Sequence, residues 1–304
     1  MGTRGSQLAL AQAMAIRDSI VAGNAGLVVD VDIIKTTGDV RVEERFQDIG
    51  SKGLFTKELD EALLSKRIDF AVHSMKDLPS ALPPGLTLAC VPTPEDCRDA
   101  FLSRSGIKMA ELTQGSKIGT SSMRRQALLR SMFPHLQARE WRGNIESRVK
   151  KMQQGEVEGI FLAYAGLKRL GLGHHVTELL DPKVFVPAVG QGMLAIVCRA
   201  EDETTRAFLS TVHDETTYQH ALIQRHFMHA MQGGCSVPLG CHLEKTPDGV
   251  ALYGYLSDFQ NEIRCRVVGT LEDGKALVGR LLDEMLAQGS ETMLATIKKS
   301  KKNT

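Results

Sequence analysis

The stretch LFTKELDEALLSKRIDFAV, residues 54–72, decides the fold class. Its first part carries apolar residues at the spacing of one helix face: Phe55, Leu59, Ala62 and Leu63. The apolar run that follows, residues 68–72, has the length of a buried strand. An amphipathic helix that leads directly into a buried strand is typical of a βαβ unit. The stretch therefore predicts an α/β fold with a largely parallel sheet.

The alternation of strands and helices continues on both sides of this stretch. On the N-terminal side we expect a helix over 8–22 and a strand over 28–36. Five prolines between residues 79 and 94 mark a place where the chain leaves a domain. Beyond them a second series is predicted, with strands at 117–119, 136–141, 159–163 and within 187–198, and helices at 122–132 and 145–154.

The pattern changes from about residue 213 onward. A helix over 216–231 precedes two strands of alternating polarity, 250–256 and 262–269, and an amphipathic helix over 274–288 follows them. This order predicts a small α+β domain. The lysine-rich end, 298–302, is expected to be a frayed, solvated tail.

Composition limits the class of protein. The chain has 304 residues, 42% of them hydrophobic, which is enough for two or three domains. A formal net charge of +1 and 5% aromatic residues argue against a nucleic-acid-binding protein. No apolar run could span a bilayer, and we expect no signal peptide. Six cysteines without Cys-x-x-Cys or zinc-finger spacing indicate reduced thiols in the cytoplasm and no metal site.

The segment GTSSMRR, residues 119–125, places two arginines at the start of a predicted helix. The first helical turn has free N–H groups and a positive dipole end, so cations there are unfavourable and anions are favoured. A bound anion would explain Arg124 and Arg125, with Thr120 and Ser122 as further donors. The alternative is an ordinary helix cap with two solvated arginines.

Other arginines lie at corresponding places, where predicted strands end. Arg142 follows a strand, Arg148 comes a turn later, and Arg4 and Arg169 lie beside other element ends. In doubly wound α/β sheets ligands bind at the carboxyl ends of strands, and guanidinium groups bind carboxylates bidentately. The set of arginines therefore predicts a ligand with several negative charges.

Two more segments could carry chemistry. His73 to Asp77 ends a strand with a Lys76–Asp77 pair, and a carboxylate there can stabilise a developing cation. Taken alone, the pair could equally be a surface ion pair and His73 a buried structural residue. Paired glycines before Cys235 suggest a loop that presents the thiol, although a buried core cysteine is the alternative.

Eight blocks in this order resemble the porphobilinogen deaminase (hydroxymethylbilane synthase) family and cover roughly residues 2–290. The blocks are GTRGS at 2–6, KGLFTKEL at 52–59, AVHSMKD at 71–77, GTSSMRR at 119–125, RGN at 142–144, AGLKRLG at 165–171, PAVGQG at 187–192 and GGCSVP at 233–238.

The resemblance implies three domains. Two are related α/β domains like those of type II periplasmic binding proteins, with mixed sheets, and the chain crosses between them twice. The third is a small α+β domain that carries a cofactor cysteine. We assign domain 1 to 1–92 and 193–212, domain 2 to 98–187 and domain 3 to 213–292, followed by a flexible basic tail over 293–304.

The resemblance also implies an activity, a cofactor and a set of partners. The family joins four porphobilinogen molecules head to tail, releases ammonia at each coupling and yields hydroxymethylbilane, a precursor of haem and other tetrapyrroles. A dipyrromethane cofactor, bound through a thioether to Cys235, holds the growing chain. We expect a cytoplasmic monomer that takes porphobilinogen as its small-molecule substrate and binds neither nucleic acid nor membrane.

Site residues are carried over at the matching positions. Asp77 and Lys76 are the expected catalytic residues. The expected cofactor-binding residues are Cys235, Ser122, Arg124, Arg125, Lys76, Thr120, Arg142 and Gly143. The expected substrate-binding residues are Arg4, Ser6, Arg142, Arg148, Arg169, Gln191 and Lys52. The segment from about 40 to 51 matches the family's mobile active-site cover.

Two other classes of protein compete with this interpretation. A non-catalytic anion-binding module on the same scaffold would keep the arginines, but it would need neither Asp77 nor Cys235. A nucleic-acid binder would show a basic net charge and exposed aromatic residues, and this sequence shows neither.

Overall fold

The computed structural model describes residues 1–40, 53, 55–233 and 237–302, without the side chains of 40 and 300–302. Lys52, Cys235 and nearly all of the expected active-site cover, 40–51, lie outside the described residues.

The first part of the chain forms most of one α/β domain. Its elements are β1 (Gly2–Thr3), α1 (Gln7–Gly23), β2 (Asp32–Ile33), α2 (Thr37–Val40), α3 (Lys57–Leu64), β3 (Phe70–Ser74) and β4 (Leu86–Cys90). Helix α3 packs Leu59 and Leu63, both 0% exposed, against the sheet. The helix and strand read from residues 54–72 are therefore confirmed, each within a few residues.

The second α/β domain follows without interruption. Its elements are β5 (Asp99–Ser103), β6 (Lys117–Gly119), α4 (Met123–Met132), β7 (Gln137–Arg139), α5 (Ile145–Gln153), β8 (Gly159–Ala163), α6 (Tyr164–Arg169) and β9 (Glu178–Leu179). The chain then returns to the first domain as β10 (Leu194–Arg199) and α7 (Glu203–Leu209).

The two sheets have related orders, β2-β1-β3-β10-β4 and β7-β6-β8-β5-β9. Four strands of each sheet run in the same direction, whereas β10 and β5 run antiparallel to both of their neighbours. Each antiparallel strand arrives from the other domain rather than through a crossover helix, and it enters its sheet from the opposite end. Two related α/β domains with mixed sheets are therefore confirmed, and one reversed strand in each sheet departs from the largely parallel order that residues 54–72 predict.

The chain passes between these domains twice, through a first crossing segment, 91–98, and a second crossing segment, 186–193. The two segments touch where the Glu95 N–H donates to the Gly192 carbonyl at 3.1 Å. Gly192 has φ 91°, and a Cβ there would lie 2.3 Å from the Glu95 oxygen. Only glycine fits this contact, because any side chain would push the two segments apart.

The third domain is a three-stranded antiparallel sheet covered by helices. Its elements are α8 (Glu215–Ala230), β11 (Leu239–Thr246), β12 (Gly249–Ser257), β13 (Glu262–Gly269), α9 (Gly274–Ala287) and α10 (Ser290–Lys302). The expected small α+β domain is confirmed. The expected flexible tail from 293 is wrong for its described part, because α10 buries Met293 and Ile297 in the core of this domain.

Candidate active site

The expected site residues lie where parallel strands end in both α/β domains. Arg4 and Ser6 follow β1, Lys76 and Asp77 follow β3, and the Thr120–Ser122 segment follows β6. Burial lowers the pKa of Lys76, and the charges of Arg125 and Arg124 in domain 2 add to this effect, so Lys76 lies near these two arginines. The structure thus brings these predicted residues to one cleft, as the rule for ligand sites in such sheets anticipates.

Lys76 and Asp77 lie in a single 3₁₀ turn, Met75–Asp77. The buried Met75 anchors this turn, because its N–H donates to the Met193 carbonyl at 3.0 Å and its carbonyl accepts from Leu78 N–H at 3.1 Å. Burial lowers the pKa of Lys76 to about 8, against the opposing effect of Asp77. Both side chains are half-buried, and neither is hydrogen-bonded to another described residue.

Arg124 and Arg125 share one buried carboxylate, Asp99. Arg124 Nη1 lies 2.7 Å from Asp99 Oδ2, while Arg125 donates to Asp99 Oδ1 from Nε at 3.0 Å and Nη2 at 2.6 Å. Asp99 is 0% exposed, and the arginines are 4% and 7% exposed. Burial alone would raise the pKa of Asp99, but the two guanidinium groups hold it well below its usual range. The alternative of two solvated arginines is therefore wrong.

The start of α4 is capped as the sequence predicts. Ser122 is the N-cap residue, and its Oγ accepts from the Arg125 N–H at 3.5 Å. The Ser122 N–H in turn donates to Thr120 Oγ1 at 3.2 Å. These two hydroxyl groups order the turn in front of the helix, and they lie beside the arginines that the ligand hypothesis requires.

A second group of cations has less compensation. Arg142 pairs with Glu140 at 2.6 Å, and Gly143, with φ 115°, turns the chain into α5. Arg148 Nε is buried without a hydrogen-bond partner among the described residues. Burial, together with the charges of Arg125 and Arg142, lowers the pKa of Arg148 to about 10. A buried guanidinium nitrogen without an acceptor suits a carboxylate ligand, so these residues fit a cofactor that carries carboxylates.

Two expected substrate-binding residues have local partners in domain 1. Arg4 forms an ion pair with Asp39 at 2.5 Å, and its guanidinium lies 4.1 Å from the centre of the Phe55 ring. Ser6 is the N-cap of α1 and accepts from the Ala9 N–H at 3.2 Å. Because the Arg4 charge is already balanced, a carboxylate ligand would have to compete with Asp39.

Arg169 and Gln191 contact the crossing segments. Arg169 Nη2 donates to the Gly192 carbonyl at 2.8 Å. The Gln191 amide donates to the Cys97 carbonyl at 2.8 Å and to Asp99 Oδ1 at 3.0 Å. Their contacts in the described structure are therefore with the segments that join the domains.

The chain that precedes Cys235 is ordered by backbone contacts at the end of α8. Gln232 has a positive φ of 47°, and the Gly233 N–H donates to the Met228 carbonyl at 2.8 Å at the end of α8. The five described cysteines are free thiols, and burial raises the pKa of Cys90 to about 12 and that of Cys97 to about 11. These thiols stay protonated at neutral pH and are poor nucleophiles.

The described residues contain neither a metal-binding cluster nor a membrane-spanning helix. No group of three or more His, Cys, Asp or Glu side chains in the described ranges is arranged to hold a metal ion. No helix in those ranges combines the length and apolar character needed to cross a membrane.

Arginines and a lysine that converge between two α/β domains define a protein that binds an organic polyanion. Residues 1–207 match the family model described as porphobilinogen deaminase, dipyromethane cofactor binding domain, and residues 218–287 match the porphobilinogen deaminase C-terminal domain. The chain belongs to the porphobilinogen deaminase family, and the resemblance drawn from the eight sequence blocks is confirmed.

Similar proteins extend along nearly the whole chain. The porphobilinogen deaminase of Roseiflexus castenholzii is 41% identical over 296 residues, which cover 97% of this chain and 98% of the relative. The chloroplastic enzyme of Oryza sativa subsp. japonica is 43% identical over 253 residues, 82% of this chain and 71% of the relative. The similarity includes all three domains of the chain.

Solved structures give a weaker likeness. The methionine-binding protein MetQ aligns with a TM-score of 0.44 and 13% identity, over 74% of this chain and 94% of that chain. A Salmonella typhimurium periplasmic binding protein with high arginine specificity aligns with a TM-score of 0.37 and 15% identity, over 68% of this chain and 85% of that chain. At these values the likeness supports no argument about function.

Proposed function

We propose that the chain joins four porphobilinogen molecules head to tail on a dipyrromethane primer held by Cys235, releases four molecules of ammonia and, with one molecule of water, frees the product hydroxymethylbilane from the primer. The observation that carries this proposal is the excess of positive charge in the cleft. Lys76, Arg124 and Arg125 carry three positive charges close to one another, and the carboxylates beside them, Asp77 and Asp99, balance two of these charges. Each pyrrole unit brings an acetate and a propionate, so the growing chain supplies the missing anions.

The roles that the family resemblance implies are proposed for these side chains. Thr120, Ser122, Arg124, Arg125, Arg142, Gly143 and Lys76 would hold the carboxylates of the cofactor, which would supply the free pyrrole α-carbon to which the first unit is joined. Arg148 and its unpaired Nε, with Arg4, Ser6, Arg169, Gln191 and Lys52, would serve the incoming substrate. Arg4 and Gln191 have protein partners that a substrate would have to share or replace.

Asp77 is proposed to act at the reacting carbon. In each coupling the C–N bond of the aminomethyl group breaks, and the nitrogen leaves as ammonia. A C–C bond then forms to the free α-carbon of the terminal pyrrole, and that carbon loses its proton. The intermediate substrate cation carries positive charge on its pyrrole nitrogen, and a carboxylate held on the rigid turn 75–77 would stabilise that charge.

The cellular setting is also a proposal. A monomer is proposed from the family resemblance. A cytoplasmic enzyme is supported by the free thiols of the described cysteines. Hydroxymethylbilane would enter tetrapyrrole biosynthesis, haem included.

Intact mass of the purified protein tests the proposed function. Protein made in cells supplied with porphobilinogen should exceed its sequence mass by two linked pyrrole units, and the Cys235→Ser variant should lack this excess. Wild-type protein of unmodified mass would refute the proposal.

A further inference from the structure

Asp99 is the point at which the cleft arginines meet the connection between the domains. It is the first residue of β5, directly after the first crossing segment. Its Oδ1 accepts from Arg125 twice and from Gln191 once, and its Oδ2 accepts from Arg124. A carboxylate with four donors in a fully buried position has one orientation, so it also fixes the planes of both guanidinium groups.

Each arginine has a second anchor in domain 2. Arg124 Nη1 donates to the Val186 carbonyl at 2.8 Å, and Arg125 Nη1 donates to the Phe161 carbonyl at 3.1 Å. Phe161 belongs to the central part of the sheet, whereas Val186 begins the second crossing segment. Displacement of that segment would therefore move one anchor of Arg124 and leave the anchor of Arg125 in place.

Gln191 joins Asp99 to both crossing segments. Gln191 belongs to the second segment, and its Nε2 reaches the Cys97 carbonyl of the first segment as well as Asp99. Residues on both sides of it are tightly packed, since a Cβ at Gly190 would lie 2.4 Å from the Met75 side chain. Met75 carries the turn of Lys76 and Asp77. The Gln191 amide thus connects the two crossing segments to Asp99 and its arginines, and the adjacent Gly190 packs against the Met75 side chain.

The amide oxygen of Gln191 accepts no hydrogen bond from the part of the chain that the structure describes. Gln191 is 3% exposed, and its Oε1 is buried without a hydrogen bond at a cavity of about 110 Å³ between the crossing segments and domain 3. An unmade buried hydrogen bond costs roughly 1–3 kcal/mol. If the Gln191 amide were rotated by 180°, its oxygen would face the negative Asp99 carboxylate. The hydrogen bond to Asp99 therefore fixes the orientation of the amide, and the amide oxygen is left without a donor among the described residues.

We propose that Asp99 and Gln191 are positioning residues that couple the arrangement of the crossing segments to the guanidinium planes of Arg124 and Arg125. Binding of pyrrole carboxylates to the arginines then influences how the domains move about the crossing segments. Movement of the domains in turn influences how well the arginines bind these carboxylates. The inference rests on the proposed function and deepens it, because it assigns Gln191 to the arginines rather than to direct contact with substrate.

Gln191→Met tests this coupling, because methionine fills a similar volume and donates no hydrogen bond. We expect the bound pyrrole chain to be held less well at each stage. Intact mass should show that, after one equivalent of porphobilinogen, the distribution of enzyme carrying one, two or three added units differs from wild type. The value of kcat/KM should fall about tenfold, the factor that corresponds to ~1.4 kcal/mol for a lost hydrogen bond to a charged group.

Gln224→Met is the matched control. Gln224 is also a buried glutamine, 5% exposed, and its Oε1 accepts from Gly190 N–H at 2.8 Å, one residue from Gln191. It contacts the same crossing segment but not Asp99. We expect this variant to lose stability to a similar extent and to keep the wild-type distribution of adducts.

The outcomes separate the two proposals. If both variants change the adduct distribution equally, the crossing segment matters in general and the Asp99 link is wrong. If Gln191→Met has wild-type adducts and kcat/KM, the coupling is refuted while the proposed function stands. If wild-type protein forms no adducts with porphobilinogen, the proposed function itself fails.

Discussion

Replacement of Arg125 by leucine tests the buried charge network that the site depends on. The change removes two hydrogen bonds to Asp99, at 3.0 and 2.6 Å, and one to the Phe161 carbonyl at 3.1 Å. Loss of one partner from a buried ion pair costs about 3–5 kcal/mol. Asp99 keeps Arg124 at 2.7 Å, so we expect the lower end, about 3 kcal/mol.

The chain offers a spectroscopic probe for this measurement. Trp141 is its single tryptophan, 4% exposed in the core of domain 2, so its fluorescence in a urea titration reports the domain that contains Arg125. The urea concentration at the midpoint of unfolding should be lower for Arg125→Leu than for wild type. The dependence of the free energy of unfolding on urea concentration should be unchanged. Intact mass of the same preparation should show that less than about a tenth of the protein carries the cofactor, because a charge-assisted contact is lost.

Arg130→Leu is the control, since Arg130 is exposed on the same helix, α4, and it should change stability by less than about 0.5 kcal/mol. A fully loaded Arg125→Leu protein that unfolds at the wild-type midpoint would refute the argument that this arginine is held by Asp99 for a carboxylate ligand.

Three further predictions follow from the site and the core. Asp77→Asn should keep the mass excess and lower kcat about 10²–10³-fold, and turnover near the wild-type rate would contradict its role. Because the pKa of Lys76 is about 8, its charge is lost as pH rises through that value. The value of kcat/KM should therefore fall above about pH 8, and Lys76→Arg should move this fall to higher pH. Leu63→Ala should lower the free energy of unfolding by about 2–5 kcal/mol, whereas Leu64→Ala, at a residue that is 48% exposed, should change it little.

The helix starts of the site could be predicted from sequence because their signals are local. Ser122 caps α4 and Pro134 follows its end, and the expected helix, 122–132, agrees with Met123–Met132 to within one residue. The expected strand over 28–36 shrinks to Asp32–Ile33 at the edge of its sheet, where one neighbour is missing. Local patterns thus predict helices well and edge strands poorly.

Strand β5 shows why part of the site escaped prediction. It begins with Asp99, a charged residue that no periodic pattern would place in a core. Its burial depends on Arg124 and Arg125, 25 and 26 positions away along the chain. Sequence reasoning found the two arginines and expected an external anion, whereas the fold itself provides one carboxylate. Only the remaining positive charge is available to a ligand.

At the C-terminus the sequence predicts a flexible tail, whereas the structure has helix α10. Its lysines suggest a solvated tail, yet Met293 and Ile297 are four residues apart and lie on one face of α10. Two apolar residues are a weak signal by themselves. They form a helix here because domain 3 offers an apolar surface that they complete.

Strand β10 gives the protein an unusual order of assembly. It lies between β3 and β4 in the first sheet, although it is synthesised about a hundred residues after β4. At roughly 5–20 residues per second, the ribosome needs about 5–20 s to supply it. Until β10 is made, the edges of β3 and β4 that it pairs with have no partner strand. Every strand of the second sheet, in contrast, is made before β10. We therefore expect the second domain to fold first on the ribosome, although the first domain begins the chain.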